Sequence, residues 1–140
     1  MTDLVILGDV SDGLDEPEVR RVARAALASE DGKPAAVSVT FASKATIRDL
    51  NRRYRGQDTP TDVLSYPFDA SFPQGSGGEV IVCADVVREL ARTDGRDAAT
   101  ALKEAVVHGL LHVLGYEDGT EQGAREMDRR TRRILGTVDG

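Results

Sequence analysis

The chain has 140 residues, 40% hydrophobic and 30% charged, the make-up of an ordinary globular domain rather than a disordered or fibrous chain. Eighteen basic against 24 acidic residues leave a formal net charge of −6, which excludes indiscriminate nucleic-acid binding through bulk charge but not a local basic patch. The single cysteine, Cys83, excludes a disulfide framework and, inside the apolar run "VIVCA", reads as a buried, inert thiol.

No apolar run approaches the roughly 20 residues of a membrane span. The start "MTDLVILGDVSDG" shows no basic leader, long apolar stretch or small-residue cleavage site, so a cytoplasmic protein is expected. Leu4 to Val10 reads as a strand. "DEPEVRRVARAALAS" reads as a helix capped by Asp15, with Pro17 in its first turn and Val19, Val22, Ala23, Ala26 and Leu27 on one face. "EDGKP" breaks it.

"AAVSVTFA" alternates Val37, Val39 and Phe41 at period two, as a half-buried strand does. A helix is expected from Lys44 to Arg55, with Ile47, Leu50 and Tyr54 as its apolar face and Arg48, Arg52 and Arg55 as an adjoining basic stripe. Such a stripe is either a solvated face or a binding surface. "GQDTPTD" is a loop into "VLSYPF", a strand whose closing proline places it at or near a sheet edge. "DASFPQGSGGE" reads as a flexible connection without a phosphate-cradling ending. "EVIVCA" gives a fourth strand, and Asp85 is expected to cap a helix through "VVRELART".

A longer helix is expected from Ala98 to Leu114, stopped by Gly115, and a last one from Glu121 to Leu135 with Ala124, Met127, Thr131 and Ile134 inward. The order βαβαββααα, with no internal repeat, implies one domain spanning 1–140. Its class is α/β (α+β): a small mixed four-stranded sheet covered by about five helices.

Both histidines of the chain, His108 and His112, lie four residues apart on the Ala98–Leu114 helix, sharing a sector with Ala101 and Ala105. A lone buried histidine is usually a core residue hydrogen-bonded to backbone. Two stacked one turn apart aim two ring nitrogens at one point, and a metal satisfies both. Gly115 lets the chain reverse, and Asp118 follows three residues later. His, three residues, His, two residues, Gly, two residues, Asp is the spacing of a metzincin-type site with a carboxylate for the last histidine. Glu117 competes for the third position, and register favours Asp118. A peptidase of this spacing needs a glutamate directly after the first histidine, where this chain has Gly109.

The stretch "HGLLHVLGYED" resembles the signature H-G-x-L-H-L-x-G-Y-D-H of the YbeY family of bacterial rRNA maturation endoribonucleases, with Val113, Glu117 and Asp118 as departures. "LNRRYRGQDTPTDVLSYPF" is similar to the family's second block and "GEVIVCADVV" to a third, with Glu79 for Asp; the resemblance spans about Val37 to Leu135. It implies a metal-dependent endoribonuclease that prefers single strands and acts in 16S rRNA 3′-end maturation and ribosome quality control. It also implies zinc, one ion per chain, held by His108, His112 and Asp118, with Arg55 as the functional arginine; the basic stripe of Arg48, Arg52 and Arg55, read from helical spacing, is the expected substrate-binding surface. RNA is then the partner, with neither DNA nor a membrane expected. Because Asp118 removes one unit of charge from the site, manganese or another divalent ion becomes an alternative to zinc. A non-catalytic ribosome-associated factor and a hydrolase of another substrate remain open beside the nuclease.

Overall fold

The computed structural model describes residues 2–8, 10, 14–29, 34–68 and 77–139. Four strands and five helices follow in the expected order: β1 (Asp3–Gly8), α1 (Glu16–Ala28), β2 (Ala36–Phe41), α2 (Lys44–Arg55), β3 (Val63–Pro67), β4 (Gly77–Val82), α3 (Ala84–Thr93), α4 (Ala98–Val113) and α5 (Glu121–Asp139). They build one mixed sheet in the order β1-β2-β4-β3. β1, β2 and β4 run parallel, and β3 returns antiparallel along β4 as an edge strand. That edge place is the one its proline anticipates.

Register decides what each sheet face carries. Leu4, Val37, Val39, Phe41, Val80 and Val82 share one face and form the floor on which α1 and α4 pack, with α5 laid against those two helices. Leu64 and Ile81 share the other, and α2 covers this end of it, packing Ile47 on Leu64, Ile81 and Cys83. Val5 and Leu7, on the same face but on β1, therefore stay exposed. α1 follows the reading of its sequence: Asp15 accepts a hydrogen bond from Glu18 N–H, and all five expected apolar residues are buried.

Several details differ from expectation. β1 ends at Gly8 instead of Val10. Of the Gly- and Ser-rich connection, residues 69–76 lie outside the described residues, as do 30–33 of "EDGKP". Gly77 and Gly78, read as connection, open β4 opposite Ala36 and Val37; without side chains they gave no strand periodicity to read. Asp85 is not a cap. The chain passes from β4 straight into α3, so Cys83 takes the cap position and Asp85 falls in the first turn, paired with Arg88. α5 runs through Gly136 to Asp139, and Ala124 is exposed at the rim of a cleft rather than buried. Among the described residues no helix is long and apolar enough to cross a membrane.

α4 is the central helix, lying on β3 and β4 and flanked by α1, α3 and α5. Leu102, Val106, Val107, Leu110 and Leu111 are buried almost completely. Its approach to the sheet depends on Gly109. A Cβ there would stand 2.4 Å from Val80 Cγ1 and 3.1 Å from Ser65 Oγ, so any larger residue would force either α4 or the buried Val80 side chain to shift. Ser65 Oγ donates to the Gly109 carbonyl at 3.0 Å and fixes the same contact.

Candidate metal centre

α4 begins where Asp97 accepts from Thr100 N–H and ends in a Schellman turn, with Gly115 N–H donating to His112 O and Tyr116 N–H to Leu111 O, both at 3.0 Å. Gly115 takes φ +105°, a conformation that L side chains rarely adopt. The turn has a chemical result. It brings the Tyr116 carbonyl 3.0 Å from His112 Nδ1. A carbonyl only accepts, so Nδ1 carries the proton and Nε2 of the neutral ring keeps its lone pair free.

That lone pair points at two other donors. His112 Nε2 lies 3.1 Å from His108 Nε2, and Asp118 Oδ2 lies 3.2 Å from His108 Nε2 and 3.5 Å from His112 Nε2. Four ligands placed tetrahedrally about 2.0–2.1 Å from a zinc ion stand roughly 3.3 Å apart, so this triangle fits a metal with a fourth position open. Among the described residues, His108, His112 and Asp118 form the group able to hold an ion. Glu117, the competing candidate, lines the same cleft but is not in that group. Burial, and then the neighbouring His112, hold the His108 imidazole below its ordinary pKa, against the opposing pull of Asp118 and Asp62. A ring kept neutral is a ring ready to ligate.

Asp118 is held between two anchors. Upstream, Tyr116 lies under the Arg130 guanidinium, 4.6 Å from the ring centroid, and Arg130 is paired with Glu126 at 2.8 Å. Downstream, Thr120 Oγ1 accepts from Gly123 N–H at 3.0 Å and opens α5.

The triad lies in a cleft of about 840 Å³ bounded by β3, α3, one face of α4 and the start of α5. Arg55 reaches this cleft from the opposite sheet face. It is the last residue of α2, which Gly56 terminates in the left-handed conformation beside the edge strand. A fit between residues 9–139 and the model of a family described as Endoribonuclease YbeY accompanies this geometry.

The chain belongs to the YbeY endoribonuclease family.

Curated relatives named Endoribonuclease YbeY agree over most of the chain. The protein of Alkalilimnicola ehrlichii is 42% identical over 86% of this chain and 75% of its own length. That of Sulfurovum sp. is 39% identical over 71% and 69%. A solution structure from Thermotoga maritima superposes with a TM-score of 0.69 at 30% identity, covering 96% of this chain and 88% of that one.

Of the residues read from the sequence, the structure brings His108, His112, Asp118 and Arg55 into one cleft of this YbeY-family domain. Arg48 and Arg52 are not brought there. Arg48 holds Asp58 through two contacts of 2.9 and 3.2 Å, and Arg52 holds Asp49 at 2.6 Å. Arg55 makes no ion pair among the described residues.

Two contributors were invisible to the sequence reading. Asp62 lines the cleft near His108, its Oδ1 fixed by Val63 N–H at 2.8 Å, and its position follows from strand register rather than local spacing. Asn51 is fully buried in α2 and donates from Nδ2 to Thr59 O at 2.9 Å, pinning the loop between α2 and β3. A polar residue one place beyond Leu50 gave a signal only as a break in the apolar face. The cleft is acidic on balance, with Asp62, Asp94, Glu104, Glu117, Asp118 and Asp128 against Arg55 and Arg96, and Arg96 is already paired with Glu104.

Proposed function

We propose that this chain is a metal-dependent endoribonuclease, a hydrolase acting on RNA phosphodiester bonds in rRNA maturation, with the 3′ end of 16S rRNA as its substrate and ribosome quality control as its setting. The observation that carries this reading is the convergence, in one cleft of a YbeY-family domain, of an ion-sized donor triangle and Arg55, which makes no ion pair among the described residues. His108, His112 and Asp118 would hold the ion, zinc by preference for two imidazoles and a carboxylate, with manganese favoured to the extent that Asp118 hardens the site. A divalent cation, when bound there, supplies Lewis acidity to a phosphoryl oxygen and to an attacking hydroxyl or water.

The chain's own residues do the rest. Arg55 binds the scissile phosphate, its planar guanidinium offering paired N–H donors to the oxygens on which charge develops. In a cleft otherwise rich in carboxylates, it supplies the attraction that a phosphodiester needs. Arg48 is paired with Asp58, and Arg52 shares Asp49 with Arg53, so both are held on the helix surface away from the cleft and contribute less to phosphate affinity there than Arg55. His112 is oriented by the Tyr116 carbonyl, and burial holds the His108 imidazole below its ordinary pKa. Gly109, pressed on Val80, leaves no room for the general-base glutamate of a peptidase.

The test is cleavage of a short single-stranded RNA and of its duplex by the zinc- or manganese-loaded chain. Cutting of the single strand, lost in folded Arg55→Ala and His112→Ala variants, is the expected result. RNA that is bound but never cut would overturn the reading in favour of a non-catalytic factor.

A further inference from the structure

Tyr54 contradicts the pattern that placed it. Helical spacing puts it with Ile47 and Leu50 on the buried face of α2, yet it is 65% exposed while Ile47 is fully buried. An exposed tyrosine of this size forgoes the burial that usually holds an aromatic ring in place.

The ring is not loose, however. It rests on Tyr66 of β3, with ring centroids 5.0 Å apart and planes tilted by 48°. Tyr66 is itself a lining residue of the cleft that holds the donor triangle. Its hydroxyl is buried without a hydrogen-bond partner among the described residues. One side of the Tyr54 ring is thus held by protein while the rest stands open to solvent, and Arg55, the next residue of α2, lines the same cleft as Tyr66. The donor triangle, Arg55 and Tyr66 line one cleft, and Tyr54 on Tyr66 stands at its edge as an exposed aromatic platform.

We infer that Tyr54, held on Tyr66, stacks an unpaired nucleobase next to the phosphate bound by Arg55. The inference rests on the RNA-cleaving reading of the same site. An aromatic face beside a phosphate-binding guanidinium matches the alternation of base and phosphate along a single strand. Every base presents a π-face, so such a platform is indifferent to sequence. It does discriminate strandedness, because a base locked in a duplex cannot leave its stack to lie on Tyr54 without the cost of unpairing. The platform is pre-ordered by the Tyr54–Tyr66 contact, so little side-chain freedom is lost when a base binds.

The experiment is single-turnover cleavage of a short single-stranded RNA by the metal-loaded full chain, which gives a half-saturating concentration and a maximal rate separately. Tyr54→Ala is expected to raise the half-saturating concentration roughly 5- to 100-fold with the thermal midpoint unchanged, and Tyr54→Phe to behave as wild type. A set of RNAs carrying one abasic nucleotide at each position in turn locates the contact without any change to the protein. At one position the abasic substitution should weaken the wild type by the same factor as Tyr54→Ala, and weaken the Tyr54→Ala variant no further. Abasic effects that add in full to the variant at every position would overturn the inference, as would a Tyr54→Ala chain with wild-type half-saturation. Arg55→Ala separates the two levels. If Arg55→Ala loses cleavage and Tyr54→Ala keeps wild-type half-saturation, only the stacking role falls, whereas a wild-type chain that cleaves no RNA removes the underlying reading as well.

Discussion

His112 Nδ1 and the carbonyl oxygen of Tyr116 lie 3.0 Å apart, joined across the turn that Gly115 makes at the end of α4. The same backbone reversal that ends the helix fixes the tautomer of one histidine and delivers Asp118 to both. A substitution at residue 115 therefore reaches the donor triangle without touching it. Gly115→Ala must adopt a left-handed conformation at a cost of about 1–2 kcal/mol. With the Tyr116 carbonyl displaced, zinc affinity should fall roughly 10- to 100-fold, the usual effect of losing an orienting partner. Titration calorimetry with zinc on a variant still folded by circular dichroism measures this, and unchanged affinity would show that the turn does not orient the ligand.

Gly109 makes a separate prediction about packing. A methyl group at this position meets Val80 at 2.4 Å, so Gly109→Ala should lose about 1–3 kcal/mol through displacement of α4. Urea denaturation reads the loss, and stability equal to wild type would mean that α4 sits less tightly on the sheet than described.

The arginines of α2 should separate in a salt titration of RNA affinity. Each phosphate neutralised on a single strand contributes a slope of about 0.7 in log affinity against log salt. Arg55→Ala should remove about one such contact and lower the cleavage rate roughly 100- to 1,000-fold. Arg48→Ala and Arg52→Ala, whose side chains pair with Asp58 and Asp49 outside the cleft, should change both quantities less than Arg55→Ala does. Equal effects from all three would restore the whole stripe as the binding surface.

Acid stability tests the brace behind Asp118. Hydrogen bonds first from Arg129 and then from Arg130 hold the Glu126 carboxyl below its ordinary pKa of 4.5. The unfolded chain therefore takes up this proton first. The stabilisation is fully present above pH 4.5 and is lost as pH falls below that value through the folded pKa. Glu126→Gln should flatten this part of the thermal-midpoint profile and release Arg130 from one partner over Tyr116. A profile identical to wild type below pH 4.5 would show that the pair does not contribute.

The donor triangle and the fold class were legible in the sequence because both depend on local spacing. Helical periodicity places His108 and His112 on one face, and Gly115 announces the turn that supplies Asp118. Other residues answer to tertiary register. Asp62 reaches the cleft only because β3 runs antiparallel at the edge, and Gly77 and Gly78 join a strand without side chains to betray it. Tyr54 fits the apolar period of α2 but lies beyond the small patch of Leu64, Ile81 and Cys83 that this helix covers. The arginine stripe was visible, yet which of its arginines makes no ion pair among the described residues depends on Asp49 in α2 and on Asp58, brought back to Arg48 by the folded loop.

Metal dependence of RNA cleavage tests the central claim most directly. The chain should lose cleavage on chelation and regain it on addition of about one zinc or manganese ion per chain, while Asp118→Ala should bind the ion more weakly and regain little activity. Cleavage that survives chelation, or full recovery by Asp118→Ala at the same ion concentration, would contradict a catalytic ion held by His108, His112 and Asp118.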